Sequence, residues 1–355
     1  MTADSIEYAM WMADAQRHLA AAREPLAAGP GPDPEALRTA YLDLLKLSLC
    51  DLAGTTTTSV GALPDGGVTA RELRGDERRQ RAAGMDWPLH GLTMVGLGRL
   101  DDLQACVESV VADGIAGDVI EAGSWRGGAS LLMRATLDSL GDDRTVWVAD
   151  SFQGFPDAGD ADSEALRLSA IDFLAVPQEE VADSFRRLGC ERGVRFVPGF
   201  FEETLAGLAG GRWSIVRLDA DTYEPTRLAL HRLYPRLEVG GYMVVDDYGA
   251  FQGCRQAVDQ FREENGITEP IERIDFAGAR WRRESDAPIR AAELPAPAVP
   301  RPRSAAPSRP AAVPTARELE LERELQALRE RLAAAEREIG LRAWLRRRLG
   351  RRGQR

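Results

Sequence analysis

Two short acidic runs carry the strongest chemical signal in the sequence. RLDADTYE places Asp219 and Asp221 at the end of one apolar stretch, and GGYMVVDDYG places Asp246 and Asp247 at the end of another. Carboxylates brought together at neighbouring strand ends repel unless a cation holds them. An all-oxygen set without histidine or cysteine suits a hard divalent ion such as Mg2+. Helix caps and surface turns are the plainer alternative for any one of these acids.

A third motif, DVIEAGSWRGGAS, runs from an apolar strand through a glycine-rich turn into a helical pattern. Gly123, Gly127 and Gly128 remove side chains where a ligand would meet the backbone, although tight turns also collect glycine. The spacing departs from G-x-G-x-x-G, which argues against a dinucleotide. Glu121, just before the turn, could accept a hydrogen bond from an ammonium group such as that of methionine. Farther on, VWVADSFQGFPD puts Asp150 at the end of a second strand. There a carboxylate can bind both hydroxyls of a ribose, or serve as a turn or cap residue.

These residues need a scaffold that delivers strand ends to one edge. The pattern predicts strands at Asp118–Gly123, Thr145–Ser151, Val194–Gly199, Ser214–Ala220 and Tyr242–Asp246. Helical stretches at Ala129–Leu140, Glu179–Leu188 and Pro225–Leu237 alternate with them. Such alternation implies right-handed crossovers and a mostly parallel, doubly wound sheet covered on both faces. After a helical Val258–Asn265, the pair Ile271–Phe276 and Arg280–Arg283 suggests a closing antiparallel hairpin.

Three zones follow along the 355 residues. Residues 1–85 form a helical N-terminal or lid region, with a helix at Tyr41–Leu52 and a loop at TTTTSVGALPDGG. Residues 86–285 make the α/β catalytic domain. Residues 286–314 are a Pro/Ala-rich linker, and residues 315–355 a helical extension. In that extension Thr315 and Glu318 form a capping-box pattern. Leu321, Leu325, Leu328, Leu332, Ala335 and Ile339 then draw a short heptad seam, which also fits a solitary amphipathic helix.

Charge narrows the partners. The chain carries −11, and its last fourteen residues hold seven arginines and no acid, so Met1–Leu341 stands at −18. So acidic a body is a poor partner for nucleic-acid phosphates. Only the basic, Trp344-bearing tail could make weak contact with an anionic membrane surface. There is neither a run of eighteen apolar residues nor a secretory start. The four cysteines are scattered and form no CxxC pair, so reduced thiols and a cytoplasmic location are expected.

Taken together, the motifs resemble the metal-dependent sugar O-methyltransferases of macrolide biosynthesis, the macrocin and mycinamicin O-methyltransferase type. The resemblance is carried by DWPLHGLTMVGLGRLDDLQ, VIEAGSWRGGAS, VADSFQGFPD, VRFVPGFFEETL, RLDADTYEPT and LYPRLEVGGYMVVDDYG, in family order from about Tyr41 to Arg283. It implies a class I methyltransferase-like fold, S-adenosylmethionine as donor and Mg2+ as metal. Thr93 and Met94 would line the donor pocket. Glu121, Ala122, Gly123, Ser124 and Trp125 would hold the methionine end. Asp150, Ser151, Phe152, Gln153 and Gly154 would hold the ribose and adenine side. Asp219, Asp246 and Asp247 would bind the metal, and Asp219 would also act as the base.

The resemblance implies a small-molecule or glycan acceptor, and the heptads suggest a homo-oligomer. One departure concerns the acceptor. Relatives carry an acidic residue on a lid shortly after the helix matching Tyr41–Leu52, whereas this stretch reads DLAGTTTTSV, without glutamate. A catechol-type O-methyltransferase or an inactive scaffold are the competing readings. The intact acids speak against the scaffold, and the glycine spacing makes a nicotinamide dehydrogenase the weakest of these readings.

Overall fold

The computed structural model describes residues 3–21, 33–63, 67–156, 168–169, 171–208 and 210–289. The expected linker and heptad helix therefore lie almost wholly outside the described residues.

The chain opens with helices α1 (Ala3–Ala21) and α2 (Pro34–Leu49). Asp33 caps α2: its Oδ1 accepts from the amides of Glu35 (2.7 Å) and Ala36 (3.0 Å), and Pro34 occupies the first helical position. This start lies seven residues before the expected Tyr41, because the cap rather than the apolar pattern sets it.

The expected loop after α2 is a correction. Thr57–Ala62 (β1) and Val68–Leu73 (β2) pair antiparallel, and Trp87–Pro88 (β3) adds to the other edge of β1. Threonine and valine suit a pleated surface, and Gly61 lies within β1. Helix α3 (Arg78–Ala83) follows β2, and its fully buried Arg81 ties this small sheet together. Arg81 donates to Thr57 Oγ1 (2.7 Å), the Thr58 carbonyl (3.1 Å) and both oxygens of Asp86 (2.9 and 2.5 Å).

A second sheet has seven strands. Helix α4 (Leu97–Ala112) leads into β4 (Asp118–Ala122), α5 (Gly128–Leu140) and β5 (Val146–Asp150). Then come α6 (Gln178–Arg187), β6 (Val194–Pro198), the short α7 (Phe201–Thr204) and β7 (Trp213–Leu218). Finally α8 (Tyr223–Leu233), β8 (Leu237–Val245), α9 (Gln252–Asn265), β9 (Glu272–Arg273) and β10 (Ala279–Arg282) complete it. The strand order is β6-β5-β4-β7-β8-β10-β9. Strands β4 to β8 pair in parallel, and β10 runs antiparallel to both neighbours.

Both faces of the sheet are buried, so the strands read as apolar runs rather than alternations. Val119 points into a cluster with Leu131, Met133, Val148 and Ile215, while adjacent Ile120 joins Val216, Leu218, Met243 and Trp281 on the opposite side. All four cysteines are free and buried. No described helix is long and apolar enough to cross a membrane.

Candidate active site

The carboxyl ends of β4, β5, β7 and β8 open into a cavity of about 340 Å3. This is where an open parallel sheet binds ligands, because the strand order reverses about β4. Twelve of the expected residues border it: Thr93, Met94, Glu121, Gly123, Ser124, Trp125, Asp150, Ser151, Gly154, Asp219, Asp246 and Asp247. Ala122, Phe152 and Gln153 do not. Ala122 is sealed beneath the turn, Phe152 packs its ring against Phe196, and Gln153 sits on the surface.

The turn after β4 is built for close approach. Gly123 has φ 89°, and a Cβ there would lie 1.8 Å from the Asp219 carbonyl oxygen. Gly128 starts α5 directly against the Leu92 carbonyl, where a Cβ would come to 2.5 Å. Trp125 takes the left-handed φ of 47°, a strained conformation for a bulky residue. Asp150 stabilises the turn. Its Oδ2 accepts from the amides of Ser124 (2.7 Å) and Trp125 (3.1 Å), and its Oδ1 from Phe152 (2.8 Å). A carboxylate expected at the ribose thus also organises the backbone around it.

Acidic groups crowd the floor of the cavity. One oxygen each from Asp219, Asp221 and Asp247 lie within 4.8 Å of one another. Asp247 Oδ2 is buried without a hydrogen-bond partner. Burial, with Asp221 and Asp219 beside it, pushes the Asp247 carboxyl well above its usual range. Burial and the Asp246 carboxylate likewise push Asp219 up to about 6, against the pull of Arg217. An orphaned carboxylate oxygen among like charges is what a hard cation site requires, so these residues fit such an ion.

Asp246 stands differently. Its Oδ1 accepts from Arg217 and its Oδ2 from Arg99, both guanidiniums being buried. Arg99 also donates to Asp275 Oδ2 (3.0 Å), joining α4 to the loop before β10. The geometry therefore groups Asp221 with Asp219 and Asp247, while Asp246 is engaged by arginines. Neither arginine was singled out in the sequence. Arg217 left a trace there, as a charge in an apolar strand on the same face as Asp219.

Glu121 lies at the other end of this network. Its Oε1 accepts from Arg217 and its Oε2 from Ser130. Burial pushes it up to about 7, with Arg217 pulling the other way. The stretch DLAGTTTTSV holds one acid. That acid, Asp51, accepts from Thr57 Oγ1 (2.6 Å) and does not border the cavity, whose wall includes Met85, Asp86 and Trp87.

A parallel sheet extended past β8 by the reversed strand β10, with a glycine-rich turn after β4 and acids at the ends of the neighbouring β7 and β8, defines an S-adenosylmethionine-dependent methyltransferase of class I. The chain belongs to the macrocin O-methyltransferase family, whose model, described as Macrocin-O-methyltransferase (TylF), matches residues 40–283. It is 47% identical over 255 residues to the 8-demethyl-8-(2,3-dimethoxy-alpha-L-rhamnosyl)-tetracenomycin-C 4'-O-methyltransferase of Streptomyces olivaceus, covering 70% of this chain and 94% of the relative. Mycinamicin III 3''-O-methyltransferase of Micromonospora griseorubida is 39% identical over 254 residues, with 69% and 96% covered. Among solved structures, the O-methyltransferase NovP matches with a TM-score of 0.61 at 39% identity, over 70% of this chain and all of that one. The chain is thus an S-adenosylmethionine-dependent O-methyltransferase.

Proposed function

We propose that this enzyme methylates a sugar hydroxyl of a glycosylated small molecule with the help of a divalent cation, Mg2+ being the natural choice. The observation that carries this reading is the cluster of Asp219, Asp221 and Asp247 in the same cavity as Glu121. The tetracenomycin relative, whose name specifies a rhamnosyl group on its acceptor, supports the acceptor class.

Glu121 holds the donor's ammonium, the Gly123–Trp125 turn borders its carboxylate, and Thr93 and Met94 close its flank. Asp150 and Ser151–Gly154 border the ribose and adenine. Asp219 and Asp247 present oxygens for the cation, with Asp221 completing the open face and Asp246 behind it between Arg99 and Arg217. When bound, the donor supplies a sulfonium methyl and the cation acidifies the acceptor hydroxyl.

The protein's part is placement and proton transfer. Asp219, raised toward neutrality, takes the hydroxyl proton as the oxygen displaces the sulfonium sulfur from the methyl group. Because that displacement needs oxygen, carbon and sulfur in line, holding both partners at one cavity supplies much of the rate. The proton ends on Asp219 and S-adenosylhomocysteine leaves. The test is transfer of labelled methyl to a panel of glycosylated acceptors and simple catechols, with chelator and with Mg2+ restored. Transfer to catechols alone, or full transfer in chelator, refutes the reading.

A further inference from the structure

Arg217 touches both halves of the site. Its Nη1 donates to Glu121 Oε1 and to Asp219 Oδ2 (3.0 Å), and its Nη2 donates to Asp246 Oδ1. The guanidinium thus joins one carboxylate from β4, one from just beyond β7 and one from just beyond β8. Its side chain is 2% exposed and that of Glu121 1%, so water screens this pair little, whereas Asp219, 30% exposed, faces the open cavity. Arg99 already holds the other oxygen of Asp246. If Arg217 is drawn away, Asp246 keeps a partner, whereas Glu121 has no other guanidinium among its hydrogen bonds and Asp219 likewise only this one.

We propose that Arg217 is a positioning residue that couples the donor and cation halves of the site, as a counter-charge shared between Glu121 on one side and Asp219 and Asp246 on the other. The inference rests on the assignment of Glu121 to the donor ammonium and of the aspartates to a cation. A cation beside Asp219 repels the guanidinium toward Glu121. The better-neutralised Glu121 then attracts the donor ammonium less. By linkage, the donor weakens the cation by the same factor, so the two bind antagonistically. Product release gains from this arrangement: a cation that stays bound helps expel the spent donor.

The test uses full-length protein, S-adenosylhomocysteine as donor-site probe and Mn2+ as cation, with calorimetry for the first and electron paramagnetic resonance for the second. In the wild type, saturating Mn2+ should weaken S-adenosylhomocysteine about five- to tenfold. In R217K the charge is kept, but an ammonium cannot span three carboxylates as the planar fork does, and the ratio should fall to within about twofold. In R217M the ratio should likewise fall to within about twofold, since no guanidinium remains to move between Asp219 and Glu121. An Arg217 that only supports the fold predicts weaker binding in both variants with an unchanged ratio, and that result overturns the proposal. Should R217M fail to fold, as judged by circular dichroism, the R217K ratio decides. A wild type that binds Mn2+ with no effect on the probe overturns the coupling alone. A wild type that binds no Mn2+ overturns the site assignment and the coupling with it.

Discussion

The backbone of Gly123 lies against the carbonyl of Asp219, so close that a methyl group on Gly123 would come within 1.8 Å of that oxygen. The glycine-rich turn after β4 and the start of the acidic cluster are therefore one packed unit. Gly123→Ala must push β4 and β7 apart at their carboxyl ends and strain a φ of 89°. We expect destabilisation on the order of 3 kcal/mol and loss of S-adenosylhomocysteine binding. Urea unfolding and calorimetry check both. Near-wild-type affinity would separate the turn from the acidic cluster.

Asp219 and Glu121 should fail in different ways. Asp219→Asn preserves shape and can still accept from Arg217, but it cannot take a proton. Turnover should fall roughly 10²- to 10⁴-fold, with donor affinity within about threefold of wild type. Glu121→Gln should weaken donor binding on the order of tenfold or more through loss of a charged acceptor. Steady-state kinetics beside calorimetry on both variants decides. The reverse pattern would exchange the two roles.

The crowded acids predict a stabilising cation. Mg2+ at about a hundred times its dissociation constant should add about 2.7 kcal/mol. For a domain of this size that raises the melting temperature by about 5–10 °C. Asp247→Asn should remove most of the shift, because the unpartnered Oδ2 of Asp247 is the oxygen that most lacks a counter-charge. Chelation should abolish transfer and Mg2+ restore it. A melting temperature indifferent to Mg2+, with full transfer at zero measured metal, contradicts the assignment.

How much of this was legible beforehand follows from what a sequence encodes locally. Apolar runs that lead into glycine or aspartate, such as Val119–Ala122 before Gly123, Val146–Ala149 before Asp150 and Tyr242–Val245 before Asp246, announced buried parallel strands and the edge that borders the cavity. The β1–β2 hairpin was not legible, because TTTTSVGA carries turn residues and strand residues at once and pairing decides between them. Arg99 escaped for another reason. Its partners Asp246 and Asp275 lie 147 and 176 positions away, and only the fold can bring them together. Asp150 was seen at the right strand end, but its bonds to the Ser124 and Trp125 amides depend on a turn conformation that spacing does not specify.

The N-terminal helix carries a prediction about pH. His18 on α1 bonds Asp101 on α4 through Nδ1, and its Nε2 lies 3.4 Å from Asp14 Oδ2. Lys46 of α2 shares Asp101 and also pairs with Asp43 at 2.8 Å. The hydrogen bond to Asp101 raises the His18 pKa above 6.5; burial opposes this, and the charges of Asp101 and Asp14 add to the rise. A raised folded value means that protonated His18 stabilises the docked α1 fully below pH 6.5, and that this contribution fades as pH climbs through the folded value. His18 is 28% exposed, so solvent screening limits the effect to about 1 kcal/mol or less. Urea unfolding at pH 5.5 and 8.5 should show wild type losing that much more stability than His18→Gln over the interval. Hydrogen exchange in α1 should quicken at the higher pH in wild type but change little in the variant. Identical pH dependence in the two proteins would mean that His18 stays neutral and that Lys46 alone balances Asp101.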